Sequence, residues 1–228
     1  MNPFELSDWP CPAPNGERRE EMALVFDRGR ERRLLVLPAW FDEANKLRRQ
    51  TVEVMRRLDL SGFDSFLPDL PGCNESEAAL ENQTMKSWRD AVAGAAVHFR
   101  ATHVLALRAG ALLAPAGLPG WAYSPIDGKR VLRSMLRAHA IAARETGQSE
   151  RSEDVQARAR EHGIALGGWA IGPAMFGELE ATQLASGLIE IEQSVVRGAG
   201  LWLRAEPDDD PEQADALAAL VAIGLGQP

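Results

Sequence analysis

The chain has 228 residues, 45% of them apolar and 25% charged, the size and composition of one globular domain with its own core, which excludes a mainly disordered, collagen-like or coiled-coil state. With 25 Lys+Arg against 33 Asp+Glu, the net charge of −8 argues against a broad nucleic-acid or anionic-membrane surface. No apolar run reaches the roughly 18 residues of a membrane span, and the two cysteines, Cys11 and Cys73, lie far apart and form no metal or redox motif.

Residues 1–21 read as an irregular arm, because Pro3, Pro10, Pro12 and Pro14 oppose regular structure. The arm lacks the charged and apolar regions of a signal peptide, so a cytoplasmic protein is expected. Residues 22–228 are expected to form a single domain. Met22–Phe26 and Arg33–Leu37 are apolar runs separated by the turn-like Asp27-Arg28-Gly29-Arg30, the pattern of a β-hairpin. Leu34–Leu37 is continuously apolar, as in a strand buried on both faces. Ala44, Leu47, Thr51, Val54, Met55 and Leu58 then recur at helical spacing, with Arg48, Arg49, Arg56 and Arg57 mostly on the other face.

Gly62 introduces a short strand, Phe63–Leu67. Trp88, Val92, Ala95 and Phe99 mark a second amphipathic helix, and Thr102–Leu107 is a third buried strand. Gly110–Ala114 reads as a helix packed hard on a sheet. Strands alternating with helices predict an α/β fold: a mostly parallel central sheet with helices on both faces. Further on, Val131–Ala143 and Ser152–His162 are predicted helices, the second capped by Ser152 and ended by Gly163. Ala170–Ile171 suits a strand, Pro173 the first turn of a helix, Leu201–Arg204 a strand and Ala214–Ile223 a last helix. Residues 128–165 read as a lid-like helical insertion, with Ser149–Glu153 its most flexible part.

Ligands of open α/β sheets sit at the carboxyl ends of the strands, here Pro38–Lys46, Asp69–Ser76 and Leu107–Gly110. The third has the form of strand, sharp turn and helix. An α/β-hydrolase carries G-x-S-x-G at such a turn; this chain has Ala106-Leu107-Arg108-Ala109-Gly110, with small residues at both ends and Arg108 in the nucleophile's place.

Five segments in order carry a narrower resemblance. They are Ala44-Asn45-Lys46-Leu47-Arg48-Arg49, the loop Asp69–Ser76 with Gly72-Cys73, Leu107–Ala114, Ser124-Pro125-Ile126-Asp127-Gly128-Lys129 and Gly168–Ala174. Together they resemble the α/β-hydrolase family called hydrolase 2 of bacterial exosortase A systems. That family carries N-K-S-R-R, D-L-x-G-C-G-D-S, L-R-x-G-A-L-L-A, Pro-x-x-x-Gly-Lys and G-Y-x-L-x-P-A in those places. The resemblance implies an α/β-hydrolase fold, a hydrolase ancestry and an exopolysaccharide setting. Pro38-Ala39 stands where the family often has His-Pro, and no histidine follows His162, so the usual late triad histidine has no counterpart.

Arg108 on an elbow would face a helix N-terminus and could bind a carboxylate or phosphate; alternatively it pairs with Asp69 or Asp127 and plugs the pocket. Asn45, Lys46 and Arg49, at a helix start beside it, could hold the same anionic ligand or be a solvated face. Cys73 is a candidate nucleophile if a cation lowers its pKa, and otherwise a small core residue. His98, His103, His139 and His162 lack metal-ligand spacing, the acidic run Asp208-Asp209-Asp210 reads as a solvated helix cap, and no cofactor is called for. Two functions follow: an enzyme acting on an anionic ester or thioester, or a non-catalytic relative that binds a metabolite or a protein.

Overall fold

The computed structural model describes residues 4–13, 18–147, 150–184 and 187–226. Seven strands form one sheet in the order β1-β2-β4-β3-β5-β6-β9. They are β1 (Glu5–Pro12), β2 (Arg18–Phe26), β3 (Arg33–Leu37), β4 (Asp64–Pro68), β5 (His103–Leu107), β6 (Gly120–Tyr123) and β9 (Ile189–Ile191). Strands β4, β3, β5, β6 and β9 run parallel, whereas β2 lies antiparallel to β4 and β1 antiparallel to β2. The expected mostly parallel sheet is present, with the three anticipated strands adjacent at its centre. A separate pair, β7 (Ile164–Leu166) and β8 (Trp169–Ile171), is antiparallel.

The central strands are apolar throughout because both faces are covered. Along β3, successive side chains point to opposite sides. Leu35 and Leu37 join the core under α2 (Met85–His98), α3 (Gly128–Glu145) and α5 (Pro173–Ala181). Leu34 and Val36 join the core under α1 (Asp42–Leu60) and α7 (Pro211–Gly226). The α1 positions Leu47, Thr51, Val54, Met55 and Leu58 are all buried, as the spacing predicts. The remaining helices are α4 (Ser152–His162) and the short α6 (Gln193–Val196). Pro173 does begin α5, and Gly163 ends α4 with a φ of 77°, a conformation that disfavours side chains with a Cβ. Among the described residues no helix is long and apolar enough to cross a membrane.

The structure departs from the sequence reading in five places. Residues 1–21 are not an irregular arm where described: Glu5–Pro12 is a strand. Pro10 and Pro12 are tolerated because β1 is an edge strand, where half the backbone N–H groups need no ladder partner. Trp9 and Cys11, each 1% exposed, turn inward against α2. Pro3 and Pro14 lie outside the described residues.

The second departure is the hairpin. Strands β2 and β3 do not pair, since β4 lies between them. The connection crosses the start of β4 and is held by the buried Asp64. Its carboxylate accepts from the Arg28 and Arg30 backbone N–H groups, at 3.0 and 2.8 Å, and pairs with Arg33 at 3.1 Å. The apparent turn is therefore a crossover tied to a charge. The hairpin that does form is β1–β2.

Third, Leu201–Leu203 is a 3₁₀ turn and the outer parallel strand is Ile189–Ile191. Fourth, Gly110–Leu113 lies in a 3₁₀ helix spanning Arg108–Leu113, with Ala114 just beyond its end; fifth, the N-cap of α4 is Arg151 rather than Ser152. Of the expected flexible stretch Ser149–Glu153, Ser149 lies outside the described residues.

Candidate functional site

The carboxyl edge of the sheet gathers backbone strain. Non-glycine residues with left-handed φ sit in each loop that leaves β3, β4, β5 and β6: Phe41 (55°), Asn74 (50°), Arg108 (55°) and Ser124 (44°). Each such residue costs of order 1–3 kcal/mol and persists where its surroundings over-determine it. At the turn after β5 the cause is visible. A Cβ on Gly110 would stand 2.6 Å from the Pro38 carbonyl oxygen and 2.7 Å from that of Leu37, so the chain must turn sharply on a small residue. The chain thus makes a sharp, strained strand-to-helix turn at Arg108.

The Arg108 side chain is enclosed. Its Nε and Nη2 donate to Glu43 Oε2 and Oε1, both at 3.0 Å, and its Nη1 donates to the Ser124 carbonyl at 2.7 Å. The guanidinium lies 4.0 Å from the ring centroid of Trp202. Arg108 is 8% exposed, and its fork is matched by one carboxylate, one carbonyl and one aromatic face. Neither partner weighed from sequence is used. Asp69 pairs with Arg48 at 2.9 Å and accepts from Asn74 at 2.6 Å, while Asp127 caps α3 by accepting from the Arg130 N–H at 2.8 Å. Behind the arginine, Tyr123 hydrogen-bonds Gln193 and meets Trp202 edge-on; burial pushes its phenol up to about 12.

The other candidates disperse along α1. Lys46 pairs with Asp42 at 2.8 Å, and Arg49 with Asp209 at 2.8 Å. The acidic run therefore meets α1, and Asp210 also accepts from the Gln213 and Glu212 N–H groups at the start of α7. Asn45 is exposed on the same helix. Cys73 is half-buried, and burial together with Asp69 and Glu21 pushes its thiol up to about 12. A nucleophile needs a cation to lower its pKa, whereas the charges that act on this thiol are those of acids; Arg48, which lines the same small cavity, is paired with Asp69.

Between the loops after β3 and β4 lies a cavity of about 20 Å³, lined in part by Trp40, Phe41, Cys73, Asn74 and Trp169. That is the space of roughly one water molecule. Aromatic packing closes it: Trp40 meets Trp88 with centroids 5.1 Å apart, and Phe41 meets Trp169 at 5.7 Å. The Trp88 indole N–H donates to the Pro71 carbonyl at 2.9 Å, which ties the second loop down, while Trp40 Nε1 is buried without a partner among the described residues.

The four histidines lie elsewhere. His103 begins β5, opposite the elbow end of that strand, and stacks on Trp121 with centroids 6.0 Å apart. His98 ends α2, His139 lies in α3 and His162 ends α4. Among the described residues no group of three or more His, Cys, Asp or Glu could hold a metal ion. Sequence reasoning missed Glu43 and Trp202. Glu43 was readable only as an acidic residue in the first turn of α1, a position that dipole arguments already explain.

No family model and no curated protein matches the chain by sequence. Solved structures do match in fold. The mouse α/β-hydrolase domain-containing protein 10 superposes with a TM-score of 0.59 at 11% identity, over 97% of this chain and 98% of that one. DcsB in complex with its substrate analogue gives 0.58 at 10% identity, over 98% and 100%. A provisionally assigned hydrolase from Agrobacterium vitis S4 gives 0.56 at 15% identity, over 99% and 100%. The chain has the α/β-hydrolase fold.

Proposed function

We propose that this α/β-hydrolase-fold chain is a non-catalytic binding module descended from a hydrolase. The observation that carries the reading is Arg108: it stands at the elbow, and its guanidinium is saturated by Glu43, Ser124 and Trp202. Ser-His-Asp chemistry needs a hydroxyl there, with a histidine within hydrogen-bond reach of it. The aromatic closure of the neighbouring cavity supports the same reading, since an acyl substrate needs far more room than one water. On this view segment 128–165, made of α3, α4 and the start of β7, is the lid-like insertion of the ancestral enzyme. Likeness to the hydrolase 2 segments supports a bacterial, cytoplasmic protein in an exosortase and exopolysaccharide setting.

A second reading keeps the anion at the elbow. The four strained loops and the unpartnered Trp40 indole favour it, because strain and orphaned donors collect where ligands bind. An anionic ester or thioester would then displace Glu43 from Arg108, with Asn45, Lys46 and Arg49 around it. The deciding test is p-nitrophenyl ester hydrolysis beside fluorophosphonate labelling. The binding-module reading expects background turnover and no label; stoichiometric labelling at any serine overturns it.

A further inference from the structure

An unused groove lies between α3 and α4. A groove of about 440 Å³ runs into a second lobe of about 250 Å³, the two sharing Leu136, Ala140 and Ser152. That is the size range of small-molecule sites. Leu136 and Ala140 from α3, with Val155 from α4, give it an apolar floor. One wall is basic. Lys129, Arg133 and Arg137 follow at intervals of four, so they stand one above another on a single stripe of α3.

Lys129 acts on Glu180, whose carboxyl it helps hold below the usual range, but the two arginines are not answered from within the described residues. Of the two acids that line the groove, Glu180 is held by Arg160 through contacts of 2.7 and 2.9 Å, and Glu150, in the second lobe, by Arg158 at 2.7 Å. Arg133 and Arg137 have no hydrogen bond or ion pair among the described residues. Stacked like charges on a helix repel. The helix itself stands proud here: α3 buries Gly128, Val131 and Leu132, and from Arg133 onward no residue of it is fully buried. Charge without a counter-charge beside apolar surface without a cover describes the complement of an anion with a hydrocarbon tail.

We infer that the groove binds a monomeric anionic amphiphile, its carboxylate or phosphate head between Arg133 and Arg137 and its alkyl chain along Leu136, Ala140 and Val155. From Arg133 to Ala143 the helix rises roughly 15 Å, enough for a chain of medium length. The inference goes beyond the binding-module reading, naming a site and a ligand class, and holds whether or not the Arg108 turn is catalytic.

Calorimetric titration with decyl phosphate and with decanoate, below their micelle-forming concentrations, tests it. Saturable one-to-one binding is expected, with decanol and inorganic phosphate each about tenfold weaker or worse, since head and tail both contribute. Arg133→Glu with Arg137→Glu should weaken decyl phosphate by about tenfold or more at unchanged Tm, because both side chains are exposed. Arg133→Ala with Arg137→Ala should weaken it less, and Ala140→Trp should block the floor without touching the charge. Absence of binding, equal binding by the charge-reversed protein, equal binding of phosphate alone, or retention only on phosphatidylglycerol vesicles would each overturn the proposal. The ester and fluorophosphonate assays report separately on the elbow, so the two readings fail independently.

Discussion

Arg108 and Glu43 meet through two parallel contacts of 3.0 Å, joining the turn after β5 to the first turn of α1. The pair spans 65 residues and fixes the arginine in a fork that a lysine cannot reproduce. Arg108→Ala should cost about 2–3 kcal/mol in urea unfolding, because it strands a carboxylate and removes the face of Trp202 from its cation. Arg108→Lys should cost about 1–2 kcal/mol. A double-mutant cycle with Glu43→Gln and Arg108→Met should give a coupling of about 1–3 kcal/mol. Additivity would mean that the pair is ornamental.

Arg108→Ser places a hydroxyl on the strained turn after β5. It leaves the nearest β5 histidine, His103, at the opposite end of the strand, where burial lowers its pKa. Ester turnover should remain at background in this variant, and fluorophosphonate should fail to label it. Measurable burst kinetics would show that a base reaches the turn.

Glu21 lies 3% exposed beside Asp69 and accepts one hydrogen bond, from Ser76 at 2.9 Å; its other oxygen is buried without a partner among the described residues. Burial raises its pKa above that of an exposed glutamate. A raised carboxyl favours the native state fully below the unfolded pKa, near 4.3, and loses that contribution as pH rises through the folded value. Glu21→Gln should therefore stabilise the protein by about 1 kcal/mol at neutral pH and by nothing near pH 4. Denaturant midpoints across that range check it; a pH-independent difference would contradict the sign.

Cys73 should behave as a dormant thiol. With its pKa pushed to about 12, the thiolate fraction near neutrality falls about a hundredfold or more below that of a free cysteine. Iodoacetamide should modify it slowly in the native protein and rapidly after unfolding. Fast native-state alkylation would point to a cation near the sulfur.

The central strands and α1 are legible in the sequence because burial on both sheet faces leaves continuous apolar runs, and burial on one helix face leaves a stripe. Leu34–Leu37, Phe66–Leu67 and Val104–Leu107 are all buried accordingly. The edges are less legible. Strand β1 carries two prolines, and β9 has only three residues, too few to show a period. Leu201-Trp202-Leu203 is a short apolar run like a strand yet forms a 3₁₀ turn, since its place beside α1 and Arg108 is set by tertiary contacts. The sharp turn after β5 is readable from Ala106, Arg108 and Gly110 because its sterics are local. The Glu43 partner is not, because any of several acids satisfies the charge and only the folded topology chooses among them.

The crossover held by Asp64 bears on how the chain is made. On the ribosome β3 emerges before either of its neighbours, and β2 before its inner neighbour β4. Until residues 64–68 and then 103–107 have been synthesised, a β1–β2 hairpin and an unpaired apolar β3 wait with their ladder groups open. A nascent chain stalled short of Asp64 would also hold Arg30 and Arg33 without the carboxylate that later gathers them. A synthesis pause anywhere between Leu37 and His103 therefore leaves β3 with an open edge, an intermediate prone to association.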